Sequence, residues 1–324
     1  MILVTGGAGY IGSIVTRRLL EKGYSVVIYD NLSRGNKESL PKNIPFVQGD
    51  ISDEKLLTET FKKYSIDSVM HFAAFAYVGE SVENPSLYFD NNLRKSLVLL
   101  DTMKTNGIKK IVFSSTCATY GIPEKVPITE EEKQSPINPY GLTKLLFERA
   151  LKAYDDSYGI KYVALRYFNA AGAAYGIGED HNPETHLIPL LLYTAQGRKD
   201  SINLFGTDYP TPDGTCVRDY IHIVDLADAH IAALEYLKKG KSNFFNLGTE
   251  NGTSNKEIIR ICEEVTSMKI KVNITDRRPG DPPILVANAD KAKKILNWKS
   301  NYSIKDTIQS AWDWHKNNPN GYIK

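Results

Sequence analysis

The stretch NPYGLTK places Tyr140 and Lys144 four residues apart at what reads as the start of a helix. Side chains at i and i+4 share one face of a helix. A phenol ordinarily titrates near ~10, too high for a base at neutral pH, and a neighbouring ammonium favours the phenolate. The pair could therefore make Tyr140 a proton-transfer group, with Lys144 also free to hold ribose hydroxyls. Spacing alone describes an ordinary surface pair equally well. Thr116 closes the run IVFSST and could reach the same pocket from an adjoining strand. Its hydroxyl both donates and accepts, so it would orient a substrate oxygen and relay its proton. Thr116, Tyr140 and Lys144 are the candidate catalytic set.

A second group of residues points to what such a set would serve. VTGGAGYIG carries Gly6, Gly9 and Gly12 between an apparent strand and an apparent helix. Absent side chains there let the backbone approach a pyrophosphate seated at the helix N-terminus. A glycine pattern by itself is weak, because tight turns need glycine for conformational reasons alone. Asp30 strengthens it by ending the second strand, where an acid would bind the adenosine ribose hydroxyls. A carboxylate at that point repels a 2′-phosphate, which favours NAD over NADP. Asp50 and Ile51, after a third strand, would frame the adenine, and Phe72, Ala73 and Ala74 would form a small-residue wall at the nicotinamide end. Asn91, beginning the next helix, would add a polar contact, and Tyr167 in RYFN would lie near the carboxamide. Tyr10, Ile11, Asn31 and Ser114, beside these positions, complete the cofactor set.

The elements that must position these residues alternate. The apolar runs ILVTG, SVVIYD, SVMHFAA, KKIVFSS and KYVALRYFN are interleaved with helical segments over 12–22, 55–64, 91–106 and 140–158. Strands apolar on both faces between amphipathic helices predict an α/β fold, a Rossmann-type doubly wound parallel sheet. After Asn169 the rhythm breaks, and GTDYPTPDGT and DRRPGDPP read as long functional loops. The expectation is an NAD-binding domain over 1–168, with 219–248 returning to it through the strand FFNLG. A smaller mixed C-terminal lobe, built from 169–218 and 249–324, would bind the substrate.

Composition narrows the partners. With 324 residues, 42% hydrophobic, 24% charged and a formal net charge of +2, the chain is an ordinary globular protein. Nothing in it calls for nucleic acid or membrane as a partner. Cys117, Cys216 and Cys262 lack metal-ligand spacing and form no disulfide framework, so free thiols in a reducing compartment and no metal are expected. The chain shows no basic leader and no apolar run approaching roughly 18 residues, so cytoplasm is the expected location.

The glycine spacing G-x-x-G-x-x-G, the Tyr140/Lys144 pair and FSSTCATYG together resemble the extended short-chain dehydrogenase/reductase family. Arg218, Arg277, Arg278 and Asp281, on two Gly/Pro-rich loops, further suggest a clamp for a nucleoside diphosphate, since guanidinium matches phosphate with two charge-assisted bonds. Phe205 could stack on a base. HFAAFAYVGES, RYFNAAGA, GEDHNPETHLIP, GTDYPTPDGTCVRDYIH and RRPGDPP extend the likeness over nearly the whole chain, to the UDP-glucose 4-epimerase branch of that family. The resemblance implies tightly retained NAD, UDP-galactose and UDP-glucose as substrates, and a homodimer pairing the helices after Asn91 and Tyr140. It places Asn169 at the sugar or phosphate, His186 and Leu187 in the UDP pocket, and Asn203 and Phe205 at the uracil. Arg218 and Arg278 would hold the diphosphate, and Asp281 the uridine ribose.

Three positions depart from that pattern. Thr116 stands where many members have serine, Ala76 where many have lysine, and Leu285 is intermediate at a position bearing on N-acetylated sugars. The rival readings are a nucleotide-sugar 4,6-dehydratase, a UDP-pentose or UDP-uronate 4-epimerase, and a non-catalytic NAD sensor. A dehydratase needs an Asp-Glu pair after the Ser/Thr, where this chain has Cys117 and Ala118.

Overall fold

The computed structural model describes residues 1–278 and 281–322; Pro279 and Gly280 of the RRPGDPP stretch lie outside the described residues. In chain order the strands are β1 (Ile2–Thr5), β2 (Val26–Asp30), β3 (Phe46–Gln48), β4 (Ser68–His71), β5 (Lys110–Ser114) and β6 (Lys161–Tyr167). They are followed by β7 (Asn169–Ala171), β8 (Ile202–Phe205), β9 (Val217–His222), β10 (Asn243–Leu247), β11 (Gly252–Ser254), β12 (Val272–Thr275) and β13 (Ile284–Leu285). A seven-stranded sheet runs β10-β6-β5-β4-β1-β2-β3, and every pairing in it is parallel. Every residue of β1, β2 and β4 is buried, as a sheet covered on both faces requires.

One face packs against the helices Tyr10–Glu21 and Ile223–Leu237 through Ile14, Leu19, Leu226 and Leu234. The other face carries the helices Glu54–Lys63, Lys95–Thr105 and Pro139–Tyr158, which contribute Leu57, Leu99, Phe147 and Leu151. This is the Rossmann-type doubly wound fold expected. Strand order reverses direction between β1 and β4, and ligand crevices open at the carboxyl ends of strands beside such a switch.

The segment expected as one helix from Asn91 differs. Phe89–Arg94 forms a π-helical turn ahead of the α-helix Lys95–Thr105. Asn91 therefore sits inside a widened turn and does not begin a helix. Such turns gather at functional sites because the extra residue re-aims side chains.

The smaller lobe is mixed. β9 pairs with β7, β11 and β13, and β8 pairs with β12. The helices Leu187–Ala195, Asn255–Thr266 and Ile304–Asn317 close around Leu191, Ile258 and Ile308. The chain passes between the two parts: β9 lies in the small sheet, the helix after it packs on the large one, and β10 pairs with β6.

The helix that carries Tyr140 is set by its ends and by one buried ion pair. Asn138 Oδ1 accepts the Gly141 N–H at 2.8 Å, Pro139 opens the first turn, and Gly159 closes the helix at φ +68°. One turn beyond Lys144, the Glu148 carboxylate takes a forked contact from Arg166 of β6 at 2.6 and 3.0 Å. It also takes the Ser115 hydroxyl at 2.5 Å. The Arg166 and Glu148 side chains are 3% and 6% exposed, so neither charge has water to fall back on. Breaking such a pair from one side costs about 3–5 kcal/mol, whereas an apolar replacement of both partners costs far less. In urea unfolding, Arg166→Met is expected to lose about 3–5 kcal/mol, and adding Glu148→Leu should recover much of that loss.

Candidate active site

A cleft of about 1380 Å³ opens along the carboxyl ends of the large sheet and runs into the lobe. Pockets for a single small ligand span roughly 300–1,000 Å³, so this one has room for two. Its wall includes Gly6, Gly9, Tyr10, Ile11 and Gly12, then Asp30, Asn31, Asp50, Ile51, Phe72, Ala73, Ala74 and Asn91. Ser114, Thr116, Tyr140, Lys144 and Tyr167 follow. At the lobe end stand Asn169, His186, Leu187, Asn203, Phe205, Arg218, Arg278 and Asp281. Residues drawn from the whole chain thus meet in one continuous space.

At the first end the glycines are there for contact distance. Gly6 has φ +73°, and a Cβ on it would stand 2.5 Å from the Ala73 nitrogen. A Cβ on Gly12 would stand 2.3 Å from the Gly6 carbonyl oxygen. Gly9 caps the helix Tyr10–Glu21 without a side chain, leaving its first N–H groups open to an anion. Asp30, 8% exposed, accepts the Ala8 N–H at 2.9 Å and the Leu32 N–H at 2.7 Å. Burial pushes its carboxyl up and the two N–H groups oppose the rise. The remaining lone pairs suit a ribose diol and repel a phosphate. Burial also acts on Asp50, but Lys95 at 2.8 Å, with Ser52 and Asn31, holds its carboxyl well below the usual range.

At the middle, Tyr140 and Lys144 are 9% and 4% exposed, which removes the surface-pair alternative. The Lys144 ammonium donates to the Ser114 carbonyl at 2.8 Å and stands 5.9 Å from the centre of the Tyr140 ring. The expected depression of the phenol by this lysine does not occur in the chain alone. Burial drives the Tyr140 phenol far above its ordinary range, Tyr167 adds to the rise, and hydrogen bonding to Thr116 opposes it. Burial likewise pulls the Lys144 ammonium down to about 7, against Glu148. A dry pocket disfavours both charged forms, the phenolate and the ammonium alike. Tyr167 hydrogen-bonds Ser114, and Asn92, one residue after Asn91, ties the wall by accepting the Phe75 N–H at 2.8 Å.

At the lobe end the two arginine loops separate in role. Arg218 on β9 donates to Asp281 at 2.7 Å and to the Pro282 carbonyl at 2.9 Å. Arg278 lies over the Phe205 ring at 4.5 Å, so one face of that ring is already covered. Arg277 turns away to Asp208 at 2.7 Å. Asn169 begins β7, opposite Tyr220 of β9. His186 precedes the helix Leu187–Ala195, with its Nδ1 directed at Glu184 and Glu179.

Sequence reasoning missed several cleft residues. Arg34 stacks on Phe75 and Tyr77 at 4.2 and 4.6 Å and forks onto Glu80 at 2.6 and 2.7 Å. It stands beside exposed Ala76, and only the three-dimensional approach of two loops reveals it. Glu179, His181 and Glu184 were also passed over, although their spacing within GEDHNPETH was a visible signal.

The sequence profile of the NAD dependent epimerase/dehydratase family matches residues 2–248. The chain belongs to this family. It is 50% identical over 325 aligned residues to the UDP-glucose 4-epimerase of Lacticaseibacillus casei, covering 99% of this chain and 98% of that one. A crystal structure of UDP-glucose 4-epimerase from Brucella ovis in complex with NAD superposes with TM-score 0.93 at 49% identity, covering 96% and 97% of the two chains. The enzyme of Bifidobacterium longum, in complex with NAD+ and UDP, gives TM-score 0.94 at 41% identity over 99% of both chains. Like other members of the NAD dependent epimerase/dehydratase family, the chain uses NAD, and the glycine turn and the Asp30 carboxylate fit that dinucleotide. Gly6→Ala meets backbone on one side at a φ that alanine resists, a strain of about 1–3 kcal/mol. Equilibrium dialysis should show NAD affinity falling by roughly 10- to 100-fold, with the far-ultraviolet dichroism of the sheet retained.

Proposed function

We propose that this chain interconverts UDP-galactose and UDP-glucose at carbon 4. The observation that carries the reading is the layout of one cleft: a buried Thr116, Tyr140 and Lys144 at the dinucleotide end, and Arg218, Arg278 and Asp281 at the lobe end. NAD held by the glycine turn and Asp30 would supply reversible hydride acceptance, and its positive ring would favour a phenolate. The Tyr140 oxygen takes the proton of the sugar 4-hydroxyl, directly or through Thr116. Lys144, fixed by the Ser114 carbonyl, holds ribose hydroxyls beside it. Arg218 and Arg278 grip the diphosphate and Asp281 the uridine ribose, while Asn203 and Phe205 border the uracil. Asn169 meets the phosphate or sugar, and His186 and Leu187 lie in the UDP pocket. With its C4 hydride given up to the dinucleotide, the resulting 4-keto sugar would turn on that tether, present its opposite face, and regain the hydride at carbon 4 and the proton from Tyr140 at the oxygen.

Support for epimerisation over 4,6-dehydration comes from the residues after Thr116. Cys117 and Ala118 line the cleft there, and burial pushes the Cys117 thiol up to about 12, so neither is an acid or base at neutral pH. The same reading divides the chain into a cofactor part, 1–168 with 219–248, of which 219–222 still belong to β9 of the small sheet, and a substrate part, 169–218 with 249–324. It also includes a cytoplasmic homodimer paired through the helices Lys95–Thr105 and Pro139–Tyr158. Exposed Leu146 and Tyr158 on the latter helix are apolar groups such a pairing would cover.

Incubation with UDP-galactose should yield UDP-glucose by chromatography; a 4-keto-6-deoxy product would instead select the dehydratase. Tyr140→Phe is expected to abolish turnover while retaining NAD, read from its absorbance in the purified protein. Thr116→Val should lower kcat by about 10²–10⁴-fold, the usual worth of general acid–base assistance, and Thr116→Ser should keep most of it.

A further inference from the structure

The segment Glu179–His186 gathers two carboxylates and two imidazoles in the spacing E-x-H-x-x-E-x-H, with one potential ligand atom from each lying within 4.8 Å of all the others. His186 Nδ1 stands 2.8 Å from Glu184 and 2.9 Å from Glu179. His181 Nδ1 stands 3.3 Å from Glu179 and 3.7 Å from Glu184. A ring nitrogen carries at most one proton, yet each of these two faces two carboxylates. The Glu184 side chain is 3% exposed, and its Oε2, like His181 Nδ1, is shut off from solvent without a hydrogen-bond partner. Glu184 Oε1, by contrast, takes the Thr185 N–H at 2.7 Å, the His186 N–H at 2.8 Å and His186 Nδ1 at 2.8 Å, so the unmet demand in the cluster lies at Glu184 Oε2 and His181 Nδ1.

A cation at the centre would satisfy all four groups at once. Zinc–nitrogen and zinc–oxygen bonds of about 2.0–2.1 Å in a tetrahedron put neighbouring ligand atoms about 3.4 Å apart. The His–Glu separations, taken to either oxygen of Glu184, run from 2.8 to 3.7 Å around that edge, and the full set of four lies within 4.8 Å. Imidazole nitrogens select a transition ion such as zinc over magnesium or calcium, which take oxygen ligands. We propose that Glu179, His181, Glu184 and His186 form a closed four-ligand site for a zinc-class divalent cation. Four protein ligands leave no open position, so the ion is structural. It braces the cleft wall: the His181 ring lies 6.4 Å from Tyr10, just past the glycine turn, and 5.7 Å from Tyr77. His186 and Leu187, on the other side of the site, line the lobe end. This proposal stands apart from the epimerase reading, since ion content is measured without turnover.

The test uses the full-length NAD-loaded enzyme, stripped with a chelator, dialysed, and titrated with zinc sulfate by calorimetry and elemental analysis. About one ion per chain is expected, with cobalt in its place giving the visible absorption of a tetrahedral site. The double variant His181→Ala, Glu184→Gln should lose that ion and its cobalt spectrum. The single variant His181→Gln guards against a folding defect and should weaken binding at unchanged circular dichroism. Replacing Cys117, Cys216 and Cys262 by serine should leave zinc content unchanged. Failure of the wild type to retain zinc, equal binding by the double variant, or loss of the ion with the thiols would each overturn the proposal.

Discussion

One stripe of the helix Pro139–Tyr158 holds the chemistry in place. Tyr140, Lys144 and Glu148 follow one another at single-turn intervals, and all three are buried. The Glu148 carboxylate is gripped by Arg166 from β6 and by Ser115, next to the end of β5. One turn back, Lys144 is held by the Ser114 carbonyl. The helix therefore cannot slide or rotate against the strand ends without breaking a charged contact in a region water does not reach. Such contacts contribute little net stability, yet losing one partner is costly. The position of the phenol relative to Thr116 is inherited from this lock.

The cleft divides its electrostatics along its length. Around Tyr140 the surroundings are dry, so the phenol stays protonated and the lysine sits near 7 in the chain alone. At the lobe end Arg218 is paired with Asp281 and Arg278 lies over the Phe205 ring, so both guanidiniums are held by neighbours in the chain. On the proposed reading, anchoring the nucleotide firmly and bordering the sugar loosely would suit a reaction in which one ring must present both faces.

Much of this was legible in the chain. Strand runs such as SVVIYD and the helix expected over 140–158 were readable from their apolar pattern, and the glycine turn, Asp30 and the Tyr140/Lys144 pair pointed to residues that line one cleft. Three things were not. The π turn at Phe89–Arg94 leaves no mark in hydrophobic spacing, because one extra residue per turn is a tertiary accommodation. The direction of the Tyr140 shift depends on burial, which spacing does not report. Arg34 joins the cleft through a stacking contact with residues 75 and 77, far from it in the chain. The partition of Arg277 to Asp208 and Arg278 to the cleft likewise needed coordinates.

Gly6 bears on more than the turn it shapes. The atoms a side chain there would strike are main-chain atoms of Phe72 and Ala73, so the phosphate turn and the wall opposite abut backbone to backbone. No rotamer can cushion that seam. The two floor segments must shift as a single rigid plate, and sequence drift at either one is confined to changes that leave the other's path untouched.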